Sequence, residues 1–130
     1  MLPIALIAAL FAAPDVSGTY RIETSKLVKV HKGETGHARV EVVPRPDAHV
    51  SPDAPISLTV SAGQSVRPAK EKLGRTDAKE TKAKGVEFDV PFTAQAAGKD
   101  QLRATLSFFI CTEKLCEKQK RELALAVEVE

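Results

Sequence analysis

The chain has no tryptophan, and aromatic residues make up only 5% of its 130 residues. Any core must therefore be built mainly from Val, Leu, Ile and Ala, with five Phe as the large pieces. Cysteine is scarce as well, with two residues, Cys111 and Cys116. Structural zinc wants four Cys or His ligands with a close pair on each side. His31, His37 and His49 lie in or beside turns far upstream, so no metal site is indicated and each His reads as a surface residue. A Gly-x-Ser-x-Gly turn is missing, nothing places a His and an acid beside Cys111 as a hydrolytic nucleophile, and Gly98-Lys99 lacks the glycine spacing of a phosphate loop. No cofactor is implied. Charge of one sign is not in excess: the formal net charge of +2 is too small to argue for nucleic acid. The length suits one domain rather than two.

Long apolar runs are absent except at the start, Met1-Leu2-Pro3-Ile4-Ala5-Leu6-Ile7-Ala8-Ala9-Leu10-Phe11-Ala12-Ala13-Pro14. That run is shorter than the ~20 apolar residues a membrane helix needs. It is uncharged and ends in small residues, as the hydrophobic part and cleavage zone of a secretory signal do. The alternative is a buried N-terminal strand or helix. Residues 1–18 are thus expected to be signal and linker, with cleavage near Ala13 or after Val16-Ser17-Gly18, and residues 19–130 the domain. The expected compartment is periplasmic or secreted, with no membrane span after processing. No Cys follows the apolar run, so no lipid anchor is indicated. An exported chain with an even number of cysteines meets oxidising conditions.

What remains is rich in alternation of period two, the mark of strands with one face in a core. Tyr20–Glu23 and Leu27–Val30 read as a first strand broken near Thr24-Ser25. His37–Val43 reads as a second, stopped by Pro44, since Pro cannot donate to a ladder. Ile56–Ser61 is a third and Val86–Phe92 a fourth. Leu102, Ala104, Leu106, Phe108 and Ile110 alternate in a fifth, and Leu123, Leu125, Val127 and Val129 in a sixth, with Glu117–Arg121 read as part of a charged connection. No strong amphipathic helix intervenes. The pattern predicts an all-β fold, an antiparallel β-sandwich of immunoglobulin type, with Phe88, Val90, Leu106, Phe108, Leu125 and Val127 in the core. Arg67 to Lys84 stands apart: seven cations against three acids give a net of +4, and Leu73 is almost its only large apolar residue. A mobile, solvated excursion is expected there.

Cys111 and Cys116 lie at the end of the fifth strand and in the turn after it. Two readings stay open. A disulfide across so short a loop stabilises by roughly 2 kcal/mol, against about 4.5 kcal/mol for a loop of ~80 residues, which makes it a weak staple and leaves room for thiol–disulfide exchange. Exchange needs a thiolate and access. Lys114, Lys118, Lys120 and Arg121 favour a thiolate, and Glu113, Glu117 and Glu122 oppose it. Cys111, behind Phe108 and Ile110, is expected to be the more shielded sulfur and Cys116 the more exposed.

Three segments, in order, resemble the N-terminal periplasmic domain of the thiol:disulfide interchange protein DsbD. They are His49-Val50-Ser51-Pro52-Asp53-Ala54-Pro55-Ile56-Ser57-Leu58, Val86-Glu87-Phe88-Asp89-Val90-Pro91-Phe92, and Phe108-Phe109-Ile110-Cys111-Thr112-Glu113-Lys114-Leu115-Cys116. The third is similar to that family's aromatic-x-x-Cys…Cys signature. The family's cap loop corresponds to Leu73–Asp77, which here carries no aromatic residue. The resemblance implies an immunoglobulin-like fold and a catalytic Cys111–Cys116 couple. It further implies that this couple accepts electrons from a thioredoxin-like domain and passes them to thioredoxin-like redox partners. The alternative is a non-catalytic immunoglobulin-like binding or structural domain with a static hairpin disulfide. Neither reading calls for nucleic acid, and the oligomeric state is not legible.

Overall fold

A computed structural model describes residues 16–130. The apolar start read as an export signal lies, up to residue 15, outside the described residues; a single 3-10 turn, Val16–Thr19, leads into the first strand. Eleven strands follow in two sheets. The first sheet runs β1 (Tyr20–Thr24), β3 (Thr35–Pro44), β9 (Val86–Ala94), with β6 (Val66–Pro68) and β8 (Ala78–Glu80) sharing the far edge of β9. The second runs β2 (Val28–Val30), β11 (Cys116–Val129), β10 (Gly98–Cys111), β5 (Ser57–Ser61), β7 (Lys72–Leu73), with β4 (His49–Val50) beside the end of β10. All pairs are antiparallel except β2 with β11. The chain is an immunoglobulin-like β-sandwich.

The sandwich follows from alternation. Along β3 every second residue, from Gly36 to Pro44, is buried, and along β9 Val86, Phe88, Val90, Phe92 and Ala94 are. Facing them, Leu102, Ala104, Leu106, Phe108 and Ile110 of β10 and Leu125, Val127 and Val129 of β11 close the core. All six residues expected at its centre are fully buried. With no tryptophan available, Phe88, Phe92 and Phe108 are its largest members.

Two prolines show how the ladder tolerates residues that cannot donate. Pro44 ends β3, as expected from sequence. Pro91 sits inside β9, opposite His37. Its carbonyl accepts the Ala69 N–H at 2.9 Å, on the side of β6 and β8. The missing donor therefore points into the gap between those two short strands and leaves the β3 ladder intact.

Three expectations require correction. The broken first strand is a change of sheet: β1 pairs with β3, and after Ser25-Lys26-Leu27 the chain joins β11 on the other side of the sandwich. Glu117–Arg121 is strand rather than loop, continuously paired from Ile110↔Glu117 to Leu106↔Arg121. Arg67–Lys84 is not a free excursion either. Val66, Pro68 and Leu73 are buried, and β6, β7 and β8 pair with both sheets. Asp77 closes a one-turn 3-10 segment (Arg75–Asp77) by accepting the Gly74 N–H at 2.8 Å, and Lys70 pairs with it at 2.9 Å. Three small apolar anchors and one acid suffice to dock a segment that composition alone marks as solvated.

Candidate functional site

The long hairpin β10–β11 positions the two cysteines. Its register is unbroken over fourteen opposed pairs, and Cys111↔Cys116 is the last. Side chains of directly opposed residues lie on the same face, close together. The pair is joined as a disulfide with Cα atoms 4.0 Å apart. The turn beyond it is Thr112-Glu113-Lys114-Leu115, in which the Thr112 N–H donates to the Leu115 carbonyl at 2.8 Å.

The two sulfurs differ in shelter for a topological reason. β10 is flanked on both sides at this point, by β11 and by β4, so Cys111 is buried. β11 is joined by β2 only at Val127–Val129, so Cys116 stands on an open edge and is exposed. This is the order expected from sequence. The open edge carries Glu117, Lys118, Lys120, Arg121 and Glu122, a charged border that discourages pairing with another chain.

The inner face of this edge is closed by a polar clasp. Phe108 is covered by Tyr20 of the opposite sheet, ring centroids 5.0 Å apart and nearly perpendicular. The Tyr20 hydroxyl donates to Gln119 Oε1 at 2.9 Å and accepts from Arg121 Nη1 at 3.4 Å. The Arg121 guanidinium also lies 5.8 Å from the Tyr20 ring centroid. Gln119 and Arg121 point inward where β11 overhangs the core, and their polar ends finish it.

Sequence reading missed one neighbour of the pair. His49 is opposite Cys111 in register, so its half-buried imidazole shares the face of the disulfide. Only long-range pairing of β4 with β10 brings it there. Among the described residues no group of three or more His, Cys, Asp or Glu could hold a metal ion. No described helix is long and apolar enough to cross a membrane.

No family model matches the chain. No curated protein matches it either. Among solved structures it is similar to AggA, the major subunit of aggregative adherence fimbriae type I from Escherichia coli, with 9% identity, 85% of this chain and 94% of that chain covered, and a TM-score of 0.47. It is also similar to the CooA pilin subunit from enterotoxigenic Escherichia coli, with 9% identity, 84% and 98% covered, and a TM-score of 0.31.

The resemblance to the N-terminal domain of DsbD is therefore corrected. Neither a family model nor a curated protein supports it, and the two solved structures named above are a fimbrial and a pilin subunit, not interchange domains. The thiol:disulfide relay through Cys111 and Cys116, which rested on it, falls with it. The physical reason lies in the motifs. An aromatic alternation ending in a cysteine pair is what a sandwich hairpin with a disulfide at its last opposed pair produces. Leu73–Asp77, matched to a cap loop, is not a lid over the pair: Leu73 is buried opposite Leu58, and Asp77 is tied to Gly74 and Lys70.

Proposed function

We propose that this chain is an exported, non-catalytic immunoglobulin-like domain with a structural or binding role, in which the Cys111–Cys116 disulfide is a static closure of the β10–β11 hairpin. The observation that carries this reading is the position of the pair at the final rung of a fourteen-pair ladder. A bond there reinforces a register that the ladder and the core already set. A slip of β11 by one residue would carry Leu125, Val127 and Val129 from the core face to the solvent face. The bond also secures the end of β11 that no other strand borders.

Export is supported by the uncharged apolar start and by the disulfide, which persists in oxidising compartments. The periplasm or cell surface is the compartment this reading assigns. Its partners are not thioredoxin-like redox proteins, and the small net charge gives no reason to add nucleic acid.

The experiment is to mix the oxidised protein, its Cys111–Cys116 bond intact, with a thioredoxin-type protein that lacks its resolving cysteine, so that the remaining thiolate can attack Cys111 or Cys116 and displace the other as thiolate. The reading expects no mixed disulfide at either cysteine. Efficient trapping through one cysteine would overturn it.

A further inference from the structure

Between the β4 connection and the turn that precedes β9 lies a cleft of about 230 Å³. His49, Arg75, Glu80, Thr81 and Lys84 line it, together with the apolar Val86. It is smaller than the roughly 300–1,000 Å³ of pockets for drug-sized molecules, so it suits a small ion or metabolite. Three of its five polar residues are basic and only Glu80 is acidic.

Arg75 is held through its guanidinium and Lys84 through its backbone. Arg75 is half-buried, and its Nη2 donates to the Ser51 carbonyl at 3.1 Å and to the Ala54 carbonyl. That anchor fixes the guanidinium at the rim and leaves its other donors free. Lys84 has a φ of 62° and is the one described non-glycine residue with positive φ. Such a conformation persists only where its surroundings enforce it, and it marks functional turns more often than chance. Here the Lys84 N–H donates to the Thr81 carbonyl at 3.1 Å, and the Lys84 carbonyl accepts the Val50 N–H at 2.9 Å. The Gly85 N–H donates to Thr81 Oγ1 at 3.1 Å, which leaves the Thr81 hydroxyl proton free for another acceptor. The side chains of Lys84 and Glu80 have no hydrogen-bond or ion-pair partner among the described residues.

We propose that this cleft binds a small oxyanion of the carboxylate or phosphate class, with Arg75 and Lys84 as its cationic clamp, Thr81 and His49 as additional donors, and Glu80 as a brake on affinity. The chemistry is convergent: the free donors outnumber the single acceptor, and guanidinium and ammonium groups bind oxyanions through charge-assisted hydrogen bonds. It gives a role to part of the basic Arg67–Lys84 segment that hairpin closure leaves without one. It does not depend on the state of the disulfide.

The test is a titration of the folded, oxidised protein with inorganic phosphate and, separately, with acetate, followed by amide chemical shifts. Ionic strength is held constant with chloride. Saturable shifts at Val50, Thr81, Gly85 and Val86 are expected, and the tighter of the two anions identifies the group recognised. Lys84→Gly removes the cation and suits the left-handed backbone; it should weaken binding roughly tenfold, the loss of one charge-assisted hydrogen bond. Lys84→Asn, which also tolerates that conformation, serves if the glycine variant is unstable. Glu80→Gln should tighten binding about threefold or more by removing a like charge. Lys99→Gln, on a distant strand, should change nothing. Shifts that rise linearly with both anions overturn the proposal. So does an unchanged dissociation constant in the Lys84 variants, or weaker binding in Glu80→Gln.

Discussion

Gly85→Ala is the most informative single substitution in this fold. Gly85 is buried immediately before β9, against the backbone of β3. A Cβ there would stand 1.9 Å from the Val42 carbonyl oxygen and 2.8 Å from Pro44 Cδ. Real Cβ contacts do not fall below 3.0 Å, so the strands must part by about 1.1 Å at this point. The obstacle is backbone, which cannot swing aside as a flexible side chain would. Val42 is also the register partner of Val86, so the movement pulls on the last rung of the β3–β9 ladder. Overpacking costs about 1–3 kcal/mol, and one weakened buried backbone hydrogen bond adds about 1 kcal/mol. A loss of about 3 kcal/mol is the expected total, a large share of the roughly 5–15 kcal/mol that holds a domain together. Urea unfolding followed by circular dichroism reads it. With an m-value of about 2 kcal/mol per molar, the midpoint should fall by roughly 1.5 M at unchanged m. Gly74→Ala is the control. Gly74 has an extended φ of −126°, with open space where a Cβ would be, and its alanine variant should lie within about 1 kcal/mol of the parent. A midpoint for Gly85→Ala within about 0.5 M of the parent would refute the close approach of β9 to β3.

Three further outcomes follow from particular contacts. Tyr20→Phe keeps the ring on Phe108 but removes the hydroxyl shared by Gln119 and Arg121, and should cost about 1 kcal/mol in thermal or urea unfolding. The Asp77 carboxyl is held below its ordinary value of 3.8, first by the Gly74 N–H and then by the Lys70 ammonium. Its contribution to stability is therefore present above pH 3.8 and is lost as pH falls through the lower native value; Asp77→Asn should destabilise at pH 7, by an amount that shrinks as pH falls below 3.8, in parallel thermal melts. Replacing both cysteines by alanine should cost roughly 2 kcal/mol, the chain-entropy value for so short a loop, while the amide spectrum keeps the β10–β11 ladder.

Much of the sandwich was legible in the sequence because alternation is a local signal. β3, β5, β9, β10 and the second half of β11 each carry it over five or more residues, and the centre of the core could be named from it. What was not legible depended on partners far along the chain. Glu117–Arg121 has no alternation, yet β10 supplies a ladder for it and Tyr20 covers its inner face. β6 and β7 are too short to show a period; single residues such as Val66 and Leu73 dock them, and only the register with Ala94 and Leu58 reveals it. The change of sheet after Thr24 was visible as a break, but its direction was not. At the candidate site, the pairing of Cys111 with Cys116 and the order of their exposure were readable, since strand and turn determine both. His49 beside Cys111, and the cleft that joins His49 to Arg75 and Lys84, require β4 to lie along β10 and the Thr81–Gly85 turn to lie against Val50. No local pattern encodes either.

The central claim, that the disulfide closes the hairpin and does not exchange, is tested most directly by its reduction potential. The measurement is equilibration of the folded protein with graded dithiothreitol buffers, followed by quantification of free thiol at Cys111 and Cys116. The account predicts a potential below about −300 mV, where a structural bond resists the glutathione pool. A potential between about −120 and −230 mV, the range of working thiol–disulfide oxidoreductases other than thioredoxin, would contradict it.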